Sequence, residues 1–388
     1  STTFVTNIKE TTDMRYVVTS TLLYSRLQNI ERVIQPKNAI QILSCFLFDI
    51  KGNNMEVIAT DQDTTLKTNI ELQEANGDCR FALESKQIMN ILKEIPEQPL
   101  TLDINSGTLQ IDLTYQNGHF SFQGIQGDEY PVPAMFEGES NAITLDAASL
   151  IKGLGTSIIA AANDEARKVM NGIFMDISPE DLSIVASDGH KLIRYRIICD
   201  THGTTANFTL PQKPANILKN ILEKAKGTIV IRTYGSRNAI IETDDYTVSC
   251  RLIEDKYPNY KSVIPTQNNN VAIIDRSSFI SAMRRVLVVA DKTTALVKFA
   301  FADNKVVLTS ENINYSLSAE EQLVCQYEGI PLKIGFKGTD LLELINTLQG
   351  TDFTIKLADA SRAGLILPSE QQENTDLLML LMPLLINN

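Results

Sequence analysis

The sequence of 388 residues lacks several features that define common protein classes. It has no tryptophan, three histidines and five scattered cysteines, with no CxxC pair and no cysteine near a histidine at metal-ligand spacing. This cysteine usage is typical of reduced thiols in a cytoplasmic protein without a zinc site. The apolar runs, such as LLMLLMPLLI at 377–386, are shorter than the roughly 20 residues that span a bilayer, and no signal peptide is visible. We therefore expect a cytoplasmic protein with no membrane association, metal or cofactor.

Motifs for catalysis and nucleotide hydrolysis are also absent. The chain has no G-x-S-x-G nucleophile motif and no GxxxxGK[ST] phosphate-binding loop, so any ATP hydrolysis must be supplied by another protein. A hydrolase could use Asp61, Asp63 or Asp188, but these acids follow strand ends and fit turn positions better. We predict no catalytic residues and no enzymatic activity, with an Asp-dependent hydrolase as the alternative.

A threefold repeat runs along the chain. A strand followed by a helical apolar stripe occurs in MRYVVTSTLLYSRLQNI at 14–30, AITLDAASLIKGLGTSI at 142–158 and VAIIDRSSFISAMRRVL at 271–287. The predicted helix caps are Ser20, Asp146 and Ser277. Strand pairs then end at the acids of positions 61, 188 and 311, which are 127 and 123 residues apart, and a second strand-helix segment follows each. YPVP at 130 and YPNY at 257 close the first two copies.

Each copy fits two helices and about eight strands. We therefore predict an α+β fold of three repeated domains, each with two helices on one side of antiparallel sheets. The predicted boundaries are 14–138, 139–266 and 267–388, with residues 1–13 as an N-terminal extension. Three independent domains joined like beads are the alternative, although linkers rich in Pro, Gly or Ser are absent.

The net charge of −12 is unevenly distributed. The six repeated helices with their flanks carry a summed charge of +9, which leaves −21 on the strands and loops. If the helices share a surface, that surface is positive and can contact phosphates without reading sequence. Solvated helix faces are the alternative. The candidate cations are Arg32, Lys37, Lys152, Arg167, Lys168, Lys213, Lys219, Arg284 and Arg285.

The segment VASDGHKLIRY at 185–195 places an acid, a glycine, a histidine and a cation between two strand-like runs. A catalytic His190 would need a nucleophile or base partner, and Asp188, two residues away in a turn, is a poor orienting group. A metal site would need more ligands than three scattered histidines supply. The residue pattern leaves open an incidental turn histidine and a part of a docking surface.

Three motifs carry a resemblance to a known family. SDGHKL at 187–192 is similar to T-D-G-H-R-L, YPNYKSVIP at 257–265 to F-P-D-Y-R-R-V-L-P, and LMPLL at 381–385 to V-M-P-M-R. In this order they resemble the bacterial beta sliding clamp family, the processivity subunit of DNA polymerase III. The resemblance covers residues 14 to about 387.

The resemblance implies three DNA-clamp domains per chain and a head-to-tail homodimer that forms a six-domain ring with helices lining the hole. It implies a non-catalytic sliding clamp that encircles double-stranded DNA without sequence specificity and tethers the replicative polymerase. A clamp-loader ATPase and other proteins with clamp-binding motifs are further implied partners. A basic lining and an acidic exterior would match the charge distribution. A monomeric peptide-binding scaffold is the alternative.

The resemblance also implies a partner-peptide cleft between the second and third domains. Three positions depart from the family pattern: Ser262 stands where arginine is usual, Thr294 where an aromatic residue is frequent, and Leu385 where a basic residue is usual. The cleft is therefore expected to be less basic and more aliphatic, and flexible Leu and Met side chains suit several partners. Its predicted residues are Met170, Ser187, Gly189, His190, Lys191, Leu192, Pro258, Val263, Leu380, Leu381, Met382, Pro383 and Leu384.

For ring closure, the resemblance implies a contact between an edge strand and a helix end. The strand is HFSFQG at 119–124, with Phe120 and Phe122 on one face, and the helix end carries Val288 and Val289. Phe residues at i and i+2 fit a core-facing strand equally well, so both interpretations stay open. For DNA, the resemblance matches Lys37, Arg167 and Lys168 to contact positions.

Overall fold

Helices alternate with groups of strands in the order that the repeat predicts. The computed structural model describes residues 13–134 and 136–387, and within them each repeat contains two α-helices. The helices are α1 (Ser20–Ile30), α2 (Ser85–Leu92), α3 (Ala147–Ser157), α4 (Gln212–Leu222), α5 (Arg276–Val289) and α6 (Gly338–Thr347).

The strands of the first repeat are β1 (Asp13–Thr19), β2 (Cys45–Lys51), β3 (Asn54–Thr60), β4 (Thr64–Glu71), β5 (Glu74–Ala75), β6 (Cys79–Glu84), β7 (Pro99–Asn105), β8 (Gln110–Tyr115), β9 (Gly118–Gln123) and β10 (Ile125–Gln126). Those of the second are β11 (Asn141–Asp146), β12 (Ile173–Ile177), β13 (Asp181–Ser187), β14 (Lys191–Ile198), β15 (Ala206–Leu210), β16 (Thr228–Tyr234), β17 (Asn238–Glu242) and β18 (Tyr246–Arg251). Those of the third are β19 (Asn270–Asp275), β20 (Leu296–Ala302), β21 (Lys305–Asn312), β22 (Leu317–Val324), β23 (Gln326–Glu328), β24 (Leu332–Lys337), β25 (Asp352–Leu357), β26 (Gly364–Pro368) and β27 (Thr375–Leu381).

The first of two structural units contains the residues up to Ala148 together with Asn216–Leu252. Its sheets have the strand orders β5-β1-β7-β8-β9 and β10-β6-β2-β3-β4-β18-β17-β16-β11. In the larger sheet, β4 of the first repeat pairs antiparallel with β18 of the second, with Leu66 opposite Val248. One sheet therefore continues from the first repeat into the second.

The second unit contains Ser149–Ala215 and the residues from Ile253 onward. Its sheets have the orders β15-β12-β13-β14-β27-β26-β25-β19-β23 and β22-β21-β20-β24. Here β14 of the second repeat pairs antiparallel with β27, the last strand of the third, from Lys191 opposite Leu381 to Ile197 opposite Thr375. The chain thus repeats the same construction: a sheet that crosses from one repeat to the next.

These shared sheets rule out three independent domains joined like beads. The α+β architecture with two helices per repeat is confirmed, whereas the boundaries 14–138, 139–266 and 267–388 stay predictions. Residues 1–12 of the predicted extension lie outside the described residues. No helix in the described part of the chain has the length and apolar character needed to cross a membrane.

The predicted apolar stripes face the core. α1 buries Leu23 and Leu27, and α5 buries Phe279, whose ring meets Phe353 of β25 edge-on at 5.0 Å between centroids. Burying side chains of this size stabilises the fold by about 1.5–3 kcal/mol each.

Two of the three predicted caps are wrong. α1 begins at Ser20 itself, after Thr19. α5 is capped by Asp275 rather than Ser277, since the Asp275 carboxylate accepts a hydrogen bond from the Ser278 N–H at 2.8 Å. Helices α1 and α5 therefore begin one and two residues earlier than predicted, because the preceding strand leads into each directly, whereas α3 begins at Ala147, directly after Asp146.

Candidate functional site

The segment Ser187–Lys191 forms a tight turn between β13 and β14. The Asp188 carboxylate accepts hydrogen bonds from the backbone N–H groups of His190 and Lys191, both at 2.8 Å. Gly189 has a φ of +90°, which favours glycine. The buried Ser187 hydroxyl donates to the Lys191 carbonyl at 2.9 Å. Asp188 therefore shapes the turn, as the sequence predicted, and His190 is exposed at its tip.

Arg167 lies against this turn. Its Nη2 donates to the Asp188 carbonyl at 3.4 Å, and its Nε donates to Asp164 Oδ2 at 3.0 Å. The Ala166 N–H and the Arg167 guanidinium both donate to the Asp164 carboxylate and lower its pKa. A Cβ added at Gly189 would lie 3.1 Å from Arg167 Nη1. Arg167, which the resemblance matches to DNA contact, thus also supports the turn.

Lys191 is buried, with 8% of its surface exposed, although it is a lysine. Its Nζ lies 3.2 Å from Glu343 Oε2, 3.5 Å from Asp340 Oδ1 and 3.7 Å from Asp188 Oδ2. Burial alone would lower the pKa of Lys191, but these three carboxylates outweigh it, and the pKa is raised. The Lys191 ammonium is therefore held as a cation among acids.

The segment 257–264 is anchored by two buried tyrosines. The Tyr257 ring stacks on Phe174 with centroids 4.6 Å apart, and the Tyr260 ring meets Phe174 edge-on at 6.1 Å. The Tyr260 hydroxyl donates to Asp176 Oδ2 at 2.7 Å, and burial raises its pKa. Both tyrosines belong to one apolar cluster with Leu192, Ala363, Leu365, Leu378 and Leu380.

The C-terminal tail passes the turn as it leaves β27. The Met382 N–H donates to the His190 carbonyl at 2.8 Å, and the Leu384 N–H donates to the Gly335 carbonyl at 2.8 Å. Met382 is 41% exposed, whereas Leu381 is buried. The backbone therefore fixes the tail between the turn and β24.

The predicted cleft residues thus come from segments that share one apolar cluster in the second unit. They separate into an enclosed set and an accessible set. The enclosed residues are Met170, Ser187, Lys191, Leu192, Leu380 and Leu381. The exposed residues are Gly189, His190, Pro258, Val263 and Met382, with Pro383 and Leu384 half-buried.

The three departures from the family pattern occupy different environments. Ser262 is exposed, and its hydroxyl donates to the Asn259 carbonyl at 2.7 Å. Thr294 lies in the turn after α5, where its N–H donates to Asp291 Oδ1 at 3.0 Å. Leu385 is 81% exposed on the tail. Leu385 and Met382 are therefore both exposed apolar residues of the tail.

Most of the nine candidate cations are exposed, but several are paired. Lys152 donates to the Gln372 side-chain oxygen, and burial lowers the pKa of Lys152. Arg285 Nη2 donates to Glu321 Oε2 at 3.0 Å. The exposed cations are Arg32, Lys37 and Lys219 in the first unit and Arg167, Lys168, Arg284 and Arg285 in the second, while Lys152 and Lys213 are half-buried. The usable positive charge is therefore smaller than the sequence sum.

Phe120 and Phe122 lie on β9, an edge strand of the first unit. Phe122 is 7% exposed and belongs to the core, whereas Phe120 is 37% exposed and stacks on Tyr115 at 6.0 Å. On α5, Val288 is 71% exposed and Val289 is half-buried. Phe120 and Val288 are therefore the accessible members of the predicted interface.

No pattern in the sequence singled out β22, an edge strand of the four-stranded sheet in the second unit. Leu317 and Val324 at its ends are 46% and 78% exposed, and Glu321 binds Arg285 of α5. Exposed and half-buried residues alternate along LSAEEQLV in the structure, but the residue types do not alternate between apolar and polar, so the sequence carried no strand signal here. An unpaired edge of this kind can accept another strand.

Family models match the chain in three consecutive segments. The N-terminal, central and C-terminal domains of the DNA polymerase III beta subunit match residues 14–134, 144–259 and 261–384. The chain belongs to the DNA polymerase III beta subunit family. It is a beta sliding clamp, a non-catalytic processivity factor for DNA polymerase III, and this identity implies DNA and polymerase as partners.

Relatives and solved structures cover nearly the whole clamp. The beta sliding clamp of Pseudomonas putida is 21% identical over 372 residues, which is 96% of this chain and 100% of the relative. That of Synechococcus elongatus is 24% identical over 353 residues, 89% and 92% of the two chains. The Thermotoga maritima beta subunit superimposes with a TM-score of 0.87 at 25% identity, over 96% and 100%. A Pseudomonas aeruginosa clamp does so with a TM-score of 0.90 at 19% identity, over 97% and 100%.

Proposed function

We propose that this clamp acts as a head-to-tail homodimeric ring around duplex DNA and binds partners through the cleft of residues 187–192, 257–264 and 380–384. The observation that carries the cleft is its shared apolar cluster, with Leu192 and Leu380 as members, below the exposed His190 and Met382. A few polar groups over an apolar floor suit a short hydrophobic peptide. The peptide's apolar side chains would lie between Val263 and Met382, next to His190.

The partners that use this cleft would include the replicative polymerase and other proteins with clamp-binding motifs. A clamp-loader ATPase would open the ring, since the chain has no phosphate-binding loop. A cytoplasmic location follows from the cysteine usage. Ser262 and Leu385 make the rim of the cleft less basic and more aliphatic than the family pattern. We therefore expect apolar side chains of the peptide to contribute more to its affinity than acidic ones.

Ring closure would join β9 of one copy to β22 of a second copy. Both strands are sheet edges, and unpaired edges pair readily with another chain. A head-to-tail contact uses two different surfaces, and it closes into a ring when the rotation permits. Phe120 would pack near Val288 of the second copy. Arg32, Lys37, Lys168, Lys219 and Arg284 would contact phosphates without fixing a sequence. The other candidate cations would contribute less, because Arg167 and Arg285 are paired with acids and Lys152 and Lys213 are half-buried.

Fluorescence anisotropy with a labelled peptide of the Q-L-x-L-F type tests the cleft. The intact protein is compared with a variant that lacks residues 382–388; because β27 ends at Leu381, this deletion leaves the strand complete. We expect saturable binding by the intact protein and a loss of about tenfold or more in affinity after deletion, since Met382 and Leu384 are removed.

The solution mass of both proteins is measured as a control, to show that the deletion leaves the dimer intact. Equal peptide affinity of the two proteins would contradict the cleft. If the intact protein does not bind the peptide, the cleft assignment fails for this peptide class, and the solution mass then decides whether the chain still forms a dimer.

A further inference from the structure

Lys191 is the feature of the cleft that simple peptide binding does not explain. A lysine is seldom buried without partners, and Lys191 is 8% exposed. The resemblance assigns it to the cleft wall, yet its Nζ is directed to the carboxylates of Asp340 and Glu343 on α6, at 3.5 and 3.2 Å. Its charge therefore acts inside the protein.

The ammonium joins two elements that border the cleft. Asp188 belongs to the turn that presents His190, while Asp340 and Glu343 occupy the first two helical turns of α6. The three residues before α6 include Gly335, whose carbonyl accepts the N–H of Leu384 from the tail. Strand β24, which leads directly into α6, thus holds the tail on one side, and Lys191 ties the turn to α6.

Without Lys191 the cluster loses the one cation that faces all three of its acids among the described contacts. Asp188, Asp340 and Glu343 face it, and the only other cation among the described contacts of these acids is Lys337, at 3.7 Å from Asp340 Oδ1 and 48% exposed at its side chain. The Asp340 side chain is 13% exposed, so water screens it poorly. Removing the ammonium would leave acids of like charge facing each other across the joint between the turn and α6.

We propose that Lys191 is a positioning residue that does not contact the partner peptide. It fixes the 187–191 turn to α6. Because the Met382 N–H already bonds to the His190 carbonyl, Lys191 thereby holds the turn and the attached tail together in the position that the peptide requires. This inference rests on the proposed peptide cleft, and it assigns Lys191 a different task from the exposed cleft residues.

The test compares Lys191→Met, Lys191→Arg and the triple variant Lys191→Met/Asp340→Asn/Glu343→Gln by peptide anisotropy and by thermal unfolding of the full chain. Lys191→Met should weaken peptide binding by about tenfold or more and lower the Tm, because removing one partner of a buried ion cluster leaves uncompensated charge. Lys191→Arg should keep a peptide affinity and a Tm close to those of the original protein, because it keeps the positive charge. The triple variant should recover most of the affinity and of the Tm, since cation and acids are removed together.

Lys298→Met is the matched control, because Lys298 pairs with Glu311 at 3.9 Å in the same unit and is 39% exposed at its side chain. Lys298→Met should change neither the peptide affinity nor the Tm. A triple variant that binds as weakly as Lys191→Met would show that Lys191 contacts the peptide, and an unchanged Lys191→Met would show that the cluster positions nothing; either result overturns the proposal. If the original protein binds no peptide, the proposed cleft fails instead, and an unchanged Tm of Lys191→Met would then reject the ion-cluster link by itself.

Discussion

At the scale of single residues, the turn at 187–191 depends on one glycine. Gly189 has a φ of +90°, and the Arg167 guanidinium approaches it closely. Gly203 offers a comparison, since it has a φ of +72° and nothing within 4 Å of an added Cβ. Both positions carry the same backbone strain for an alanine, but only Gly189 borders the proposed cleft.

We predict that Gly189→Ala and Gly203→Ala each lower the free energy of unfolding by about 1–2 kcal/mol, the usual cost of a side chain in the left-handed region. Only Gly189→Ala should also weaken peptide binding, because the added Cβ must displace Arg167 or the turn. Urea unfolding and peptide anisotropy measure the two effects. Equal peptide affinity of the two variants would contradict a role of this turn in the cleft.

The sequence predicted which residues form this turn, but it did not predict the contacts that each of them makes. Asp188 is a turn residue, as predicted, because its carboxylate accepts hydrogen bonds from the N–H groups two and three residues further on. The side-chain direction of Lys191 could not be predicted, since its partners Asp340 and Glu343 lie about 150 residues away in the chain. A sequence pattern predicts contacts between residues that are near in the chain, whereas the partners of this ion cluster are brought together only by the tertiary fold.

At the scale of elements, the helices were predictable and the sheet joints were not. An apolar stripe such as Leu23 and Leu27 is visible within one helix length, and both residues are buried. The pairing of β4 with β18 brings Thr68 opposite Tyr246, and no pattern within either strand identifies its partner. The repeat indicated three similar domains, but only the structure shows that their sheets are shared.

The edge strand β9 and helix α5 supply an element-scale prediction. Phe120→Asp and Val288→Asp should each weaken dimerisation by about tenfold or more, because an interface would have to bury the new carboxylate. Both side chains are already accessible, so the folded chain should keep its Tm. Ile198→Asp is the control, since Ile198 is 48% exposed on β14, which belongs to neither edge.

Sedimentation velocity over a dilution series measures this effect. A dimer that persists in both interface variants at the concentrations where the control is dimeric would exclude the β9 and α5 surfaces from ring closure. Mixing the two variants should restore part of the dimer, because a mixed dimer has one interface with both original residues, whereas the other interface carries both aspartates.

At the scale of the whole molecule, the charge distribution suits weak binding to DNA. The chain carries −12 overall, while exposed cations remain on the helices and their flanks. Arg285 is neutralised by Glu321 and Arg167 by Asp164, so fewer cations can contact phosphates than the sequence sum indicates. Weak, diffuse contacts would let a closed ring move along DNA, and the acidic remainder would limit adhesion of nucleic acid elsewhere.

This balance leads to a prediction about salt. Once loaded, the protein should stay on closed circular duplex DNA at a salt concentration that removes it from linear duplex DNA, because a ring is held by topology whereas phosphate contacts weaken with salt.

The double variant Lys168→Glu/Arg284→Glu should bind linear DNA more weakly. The plot of log K against log salt should also become less steep, with a slope smaller in magnitude by about 2, since two phosphate contacts are lost. Arg285→Gln, which removes a cation already paired with Glu321, should change the slope less. Filter binding on linear DNA and gel filtration on circles measure the two properties, and equal loss from circles and linear DNA at high salt would contradict the ring.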